Sequence, residues 1–272
     1  MKHGIVIPCY NESSRLKLET FIDFARAHKS TSLCFVNDGS SDPTRSTLAE
    51  IKNLVQDNVF IFNVAENAGK ANAVRQGSLF LYKETEVETI GFLDADLSTS
   101  FQDYGDLITE MEGAQDLKIV FGSRNMADGE DTIERNPIRK ILSETIRKLI
   151  FLITRLNIKD TQCGAKVFHR SLIPLIYKTG FFSKWLFDVE ILLRLKKAIG
   201  VLKFREIFKE KALAQWVHME GSKLNFKDSI MIPLNLLAIW KNYEWKPMIQ
   251  SIKEKLRFPR SLYNYKWVMK KS

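Results

Sequence analysis

The chain has 272 residues, 45% hydrophobic and 27% charged, so it carries enough apolar material for a large core and is not a disordered or low-complexity polymer. Its three cysteines, Cys9, Cys34 and Cys163, stand far apart with no CxxC pair and no histidine at zinc spacing. This argues against a disulfide scaffold or zinc ribbon and makes a reduced, cytoplasmic setting the expectation. Net charge is +9, but residues 1–136 carry 13 basic and 22 acidic side chains, net −9, whereas 137–272 carry 28 and 10, net +18. A basic half of this kind suits a polyanion, either nucleic acid or an anionic membrane leaflet, or else is a solvated helical surface.

The opening MKHGIVIPCYNE holds an apolar run far too short for a signal segment. GIVIPC (4–9) and LCFVN (33–37) read as buried parallel strands, repeated by VFIFNV (59–64), TIGFL (89–93) and 119–121. Helices fit between them at about 13–30, 43–57, 69–84 and 103–113, and this alternation predicts a doubly wound α/β sheet. After Pro137 the pattern turns helical. Ile138, Ile141, Leu142, Ile146, Leu149, Ile150 and Ile153 form an apolar stripe, with Arg139, Ser143 and Arg147 aligned on the polar side. The apolar run Ser229–Trp240 is about 12 residues long, short of the roughly 20 that cross a bilayer. Trp240, Tyr243, Trp245, Tyr263, Tyr265 and Trp267 interleave with Lys and Arg. These segments are suited to lying on a membrane surface or to packing on the sheet domain or a second subunit. The expected division is a catalytic domain over 1–226 and a basic, aromatic-rich helical extension over 227–272.

In doubly wound sheets ligands bind at the carboxyl ends of the strands. The residues there are Tyr10-Asn11-Glu12, Asp38-Gly39-Ser40, Glu66-Asn67-Ala68-Gly69-Lys70 and Asp94-Ala95-Asp96. No GxGxxG turn or GxxxxGK[ST] loop occurs among them, against a dinucleotide fold or P-loop NTPase. Asp94 and Asp96 are turn formers or, as paired carboxylates, attract Mg²⁺ or Mn²⁺ whose shell diphosphate oxygens complete. Asp38 is suited to accept from a nucleobase N–H, and Glu12 to serve base or ribose. Lys70 and Arg75 sit at the start of a helix whose positive end favours phosphate.

IPCYNE, VNDGSSD, NAGKANAVRQG, LDADLST, GSR (122–124), DTQCGAKVF (160–168) and WLFDVEIL (185–192) together resemble family-2 glycosyltransferases of the GT-A fold. Within that family, the DTQCG, FDVE and WxxxEGSK segments are similar to polyprenyl-phosphate sugar synthases. The resemblance spans about residues 4–226. It implies a Rossmann-like, mostly parallel sheet flanked by helices, with amphipathic helices at the C-terminal end. It also implies metal-dependent transfer of a hexose, glucose favoured, from a nucleotide-diphospho-sugar to a polyprenyl phosphate, with inversion. Carried over by position, Pro8, Tyr10, Glu12, Val36 and Asp38 hold the nucleoside, with Lys70 on the donor. Asp94 contacts ribose, sugar or metal, Asp96 binds metal with Ser98 nearby, and Lys223 reaches the diphosphate.

A sugar-hydroxyl acceptor, as in cell-surface polysaccharide synthesis, needs a carboxylate base, for which Asp188 or Glu190 is the candidate. A phosphate acceptor, with a second pKa of about 6, is already a nucleophile at neutral pH and needs cations instead. Arg124 and Arg139, with Ser143, are the candidates, and Asp188 and Glu190 then orient sugar or a basic residue. His218 reads as a loop residue and Cys163 as a small hydrophobe. The expected partners are the sugar donor, the lipid phosphate and an anionic membrane surface, peripheral on its cytoplasmic face, with a homo-oligomer or an integral membrane protein as further candidates. A nucleic-acid-binding module is the distant alternative.

Overall fold

The computed structural model describes residues 1–124, 137–214 and 226–245, except the side chains of 137–143, 226–230 and 245. Strand β1 (His3–Cys9) sits in the middle of the sheet, and its alternation creates the layers: Ile5 and Ile7 face one side and Val6 the other, all fully buried. In chain order there follow α1 (Leu18–Ala27), β2 (Thr31–Asp38), α2 (Thr44–Leu54), β3 (Val59–Val64), α3 (Lys70–Glu84), β4 (Thr89–Leu93), α4 (Phe101–Glu112) and β5 (Ile119–Ser123). The rest comprises α5 (Pro137–Thr154), β6 (Ala165–His169), α6 (Ile173–Tyr177), α7 (Phe187–Ile199), α8 (Val201–Ile207), β7 (Phe208–Ala212), α9 (Phe226–Trp240) and a π-helical turn (Lys241–Trp245).

The sheet order is β3-β2-β1-β4-β6-β5-β7. Strands β1 to β4 are mutually parallel, β6 runs antiparallel to β4 and β5, and β7 lies parallel to β5. The expected mostly parallel α/β sheet is present, with two strands beyond the predicted five. Helix α1 begins at Leu18 rather than near 13, because the amides of Arg15 and Leu16 turn back onto the Glu12 carbonyl at 2.9 Å.

Two cores cover the two faces of the sheet. One holds Val6, Val36, Val74, Phe92, Phe121, Phe168, Phe187 and Leu192 under α3 and α7, and the other Ile7, Phe21, Phe35, Leu48, Leu107 and Val167 under α1, α2 and α4. A third cluster joins α5, α7 and α9 through Ile150, Ile153, Val189, Leu193, Leu236 and Ile239. Each fully buried aliphatic or aromatic side chain contributes about 1.5–3 kcal/mol, so the inner face of α9 is fixed to the body by the same force that holds the sheet. Part of the basic excess of the second half is engaged inside the protein. Arg170 donates to the Tyr82, Thr85 and Val87 carbonyls at the end of α3, and Arg194 to those of Ile176, Thr179 and Gly180 at the end of α6.

Candidate active site

The loops after β1 and β2 are stitched together. The Asn11 amide donates to Ser40 Oγ at 3.0 Å, and Asn11 Oδ1 accepts from the Ser41 amide at 2.9 Å, with Asn11 itself at a φ of 50°. Asp42 accepts from both the amide and hydroxyl of Ser13 and of Thr44. Partial burial works to raise its pKa, but these four donors outweigh it and hold the carboxyl down to about 2. Glu12, nearly buried, is gripped by Arg15 through two bonds of 2.7 and 2.9 Å, and its amide donates to Thr44 Oγ at 2.8 Å. Pro8 and Tyr10 lie half-buried at the same edge.

Two residues assigned to the nucleoside, Asp38 and Val36, are buried. Asp38 is 2% exposed, and its two oxygens accept the Ala68 amide at 3.1 Å and the Gly69 amide at 2.7 Å. These bonds tie the loop after β3 to the end of β2. Gly69, at a φ of 91°, makes the turn that an L side chain would strain, and α3 starts at the next residue. Val36 points into the core beneath Gly77 and offers a nucleoside no side-chain surface. Arg75 donates to the Tyr177 and Lys178 carbonyls and so caps α6. Beside the Asp38 loop opens a polar cleft of about 250 Å³, lined by Asn37, Gly39, Ser40, Arg45, Asn63 and Ala65 among others. Sequence reasoning passed over Arg45 and Asn63. Asn63 is legible only through its register with Asn37, whose Nδ2 donates to Asn63 Oδ1 at 3.0 Å.

At the end of β4, Asp94 and Asp96 are both half-buried. Lys70 Nζ lies 2.5 Å from Asp94 Oδ1. Burial alone works to lower the Lys70 pKa, but Asp94 above all, then Asp188 and Asp96, reverse this and raise it. On the other side of the Asp94 carboxylate lies Gly164 of the DTQCG segment, where a Cβ would come within 2.2 Å of Asp94 Oδ2. Asp96 Oδ1 accepts the Ser98 amide at 2.9 Å. Asp94, Asp96 and the Ser98 hydroxyl offer oxygen donors only, the chemistry that suits a hard divalent cation. Among the described residues no three His, Cys, Asp or Glu side chains gather to hold a metal by themselves. Further ligands would then come from a bound phosphate or water.

The FDVE acids separate. Asp188 faces the sheet, where Lys166 Nζ meets it at 2.7 Å and also donates to the Cys163 carbonyl at 2.6 Å. Lys166 is fully buried on β6, in register between Phe92 and Phe121, with its ammonium 5.1 and 4.9 Å from their ring centroids. Burial raises the Asp188 pKa, opposed by Lys166 and Lys70. Glu190 faces the other way and is fully buried. Its Oε1 accepts the Ser183 amide at 2.7 Å, and its Oε2 the Phe182 amide at 2.9 Å and the Tyr243 hydroxyl at 2.7 Å. Glu190, a candidate base or orienting acid in the sequence, joins the 182–183 loop to the π-helical turn through these bonds. Lys166, unnoticed in the sequence because it sits in the strand-like run AKVF, belongs to the site.

Arg124 forks onto Asp160 with bonds of 2.7 and 2.8 Å, and its amide adds a third at 3.0 Å. Burial opposes both charges, yet these bonds hold the Asp160 carboxyl below its usual range and the Arg124 guanidinium above its own. Arg139 and Ser143 lie on α5 with side chains outside the described set, and Lys223, His218, Tyr263, Tyr265 and Trp267 lie outside the described residues. All three cysteines are buried, and none is in a disulfide.

The family model for glycosyl transferase family 2 matches residues 4–174, from β1 into α6. The dolichyl-phosphate beta-glucosyltransferase of Saccharomyces cerevisiae is 33% identical over 260 residues, covering 88% of this chain and 74% of that protein. A dolichyl-phosphate beta-glucosyltransferase of Trichomonas vaginalis is 30% identical over 247 residues, covering 87% and 72%. In fold, the chain is similar to glucosyl-3-phosphoglycerate synthase of Mycobacterium tuberculosis, solved with Mn²⁺ and UDP-glucose: TM-score 0.64 and 14% identity over 89% of this chain and 78% of that one. With the sheet, the carboxylate pair at the end of β4 and these matches in agreement, the chain belongs to glycosyl transferase family 2.

Proposed function

We propose that this glycosyltransferase moves a hexose, glucose by preference, from a nucleotide-diphospho-sugar to a polyprenyl phosphate. The observation that carries the choice of acceptor is the engagement of both FDVE acids. Glu190 is fully buried with three donors on its oxygens, and Asp188 is held by Lys166. That engagement disfavours either as the base for an incoming hydroxyl, whereas a phosphate dianion brings its own nucleophile. The relatives named for dolichyl phosphate support the same acceptor.

In the reaction the acceptor phosphate oxygen forms a bond to the anomeric carbon as the bond from that carbon to the diphosphate breaks, with inversion in one displacement. Asp94, Asp96 and Ser98 would hold Mg²⁺ or Mn²⁺, which when bound neutralises charge growing on the leaving diphosphate. Lys70, at the first turn of α3, meets the diphosphate with its ammonium and the helix's positive end. Arg124, kept in place by Asp160, supplies a cation to the acceptor phosphate. The donor is held along the loops after β1, β2 and β3, with Tyr10, Glu12 and the Asn37–Asn63 cleft as its nucleoside contacts.

We also infer peripheral attachment to a membrane. No helix among the described residues is long and apolar enough to cross one. Yet the outer side of α9 exposes Met231, Leu234, Leu237 and Trp240 at three-residue spacing, and α5 exposes Phe151 and Leu152 near Arg147 and Lys148. The decisive assay offers labelled UDP-glucose or GDP-mannose with a short polyprenyl phosphate, with and without Mn²⁺ or Mg²⁺, followed by sedimentation with anionic liposomes. Metal-dependent glucolipid is the expected product. Transfer to a sugar hydroxyl with no lipid product would overturn the acceptor, and unchanged sedimentation of a Leu234→Glu, Leu237→Glu variant would overturn the attachment face.

A further inference from the structure

Three ion pairs surround the ends of β4 and β6: Lys70 with Asp94 at 2.5 Å, Lys166 with Asp188 at 2.7 Å and Arg124 with Asp160 at 2.7 Å. Each pair sums to no net charge. Among the described residues this leaves Asp96 as the one of the four aspartates with no ion pair of its own, so these seven side chains together carry one net negative charge. A hard divalent cation on one or two carboxylates is usually completed by substrate phosphates rather than held by the protein alone. Asp94 is closed on the Oδ2 side by the Gly164 backbone, and its Oδ1 is taken by the ammonium.

We propose that Lys70 is an internal competitor for the metal. It occupies Asp94 while the site is free of donor and yields the carboxylate when a nucleoside diphosphate arrives to receive the ammonium. This rests on the metal-dependent reading above and adds a coupling to it. Two features give Lys70 a second resting place. It is the first residue of α3, so an anion at that helix end lies within its reach. Its ammonium also lies 5.9 Å from the centroid of the buried Phe92 ring, an apolar shelf across which it can shift without entering bulk water. The charge balance closes the cycle. Counted over those seven side chains, a divalent ion alone turns one net negative charge into one net positive, and the two charges of a sugar-diphosphate linkage return it to one negative. Metal and diphosphate then tighten each other by the same factor.

The experiment is Mn²⁺ binding to the full-length protein without acceptor, read by loss of the free-ion electron paramagnetic resonance signal and by calorimetry, with and without UDP. In the wild type, Mn²⁺ is expected to bind weakly alone and about tenfold or more tighter with UDP. In Lys70→Met, Mn²⁺ alone is expected to bind about fivefold tighter than in the wild type, the factor set by loss of one partly screened ion pair, and UDP is expected to add less. Lys70→Gln, with a melting profile for both variants, guards against a packing artefact. Unchanged or weaker binding of Mn²⁺ alone by both folded variants, with the wild type still tightened by UDP, overturns the competitor and leaves the metal reading intact. No Mn²⁺ binding by any form even with UDP overturns both.

Discussion

Two short acidic segments share one spacing and opposite fates. Asp94-Ala95-Asp96 leaves a strand end, and Asp188-Val189-Glu190 opens a helix. Beyond β4 the chain turns, Leu97 takes a φ of 53°, and both carboxylates stay at the ligand edge. On a helix, residues two apart point roughly 200° away from each other, since each step turns about 100°. Asp188 therefore meets the sheet and Glu190 the loop and π-helical turn on the far side. The same spacing makes a site in one setting and two separate struts in the other. Two acids close in sequence carry chemical meaning only with the backbone that presents them.

The largest expected effect follows directly. Asp94→Asn or Asp96→Asn is expected to cut sugar transfer by at least about 10²–10³-fold with the fold unchanged, whereas Glu190→Gln keeps turnover within about tenfold and lowers the melting temperature instead. Steady-state transfer and thermal melts on the three variants separate the roles, and loss of turnover by a well-folded Glu190→Gln would end the distinction. Next comes the buried strut. Removing one partner of Lys166–Asp188 strands a charge, so Asp188→Asn or Lys166→Met is expected to cost about 3–5 kcal/mol in denaturant unfolding, while Lys166→Met with Asp188→Leu regains most of it. Failure of the double variant to recover would show that the pair supports more than its own charges.

A smaller effect is expected for Gly164→Ala. The added methyl meets Asp94, so transfer should fall while stability drops by about 1–3 kcal/mol at most. Wild-type kinetics in this variant would mean that Asp94 moves freely. The smallest concerns Asp42. Its folded pKa of about 2 lies below the ordinary 3.8, so its stabilising contribution is complete above that ordinary value and is lost as pH falls towards 2. Protection of the residue 11–16 amides from exchange, relative to their intrinsic rates, should fall over that window, and Asp42→Asn should flatten the dependence.

The parallel half of the fold was legible because its strands are unbroken apolar runs followed by amphipathic helices. β6 and β7 were not. β6 carries Lys166 on a fully buried face, a choice that only an acid from α7 makes tolerable, and β7 reads FKEKA because it is a charged edge. In the site, Asp94 and Asp96 were legible from their place after a strand. The loop contacts of Asp38 were not, because the amides that meet its oxygens come from 30 residues further along. Val36 fell to simple alternation: Leu33 and Phe35 face one core, and Cys34 and Val36 the other.

The inner side of α9 governs how the protein can be dissected. Leu236 and Ile239 fill a cluster with Ile150 and Val189, and the Tyr243 hydroxyl completes Glu190 and accepts from Arg194 Nε. A chain cut after Phe226 would open that cluster and strip Glu190 of a donor, so the shortened protein would report on a broken interior rather than on a missing lipid contact. The usable boundary falls beyond the π-helical turn, and work on lipid contact belongs to point changes on the outward stripe.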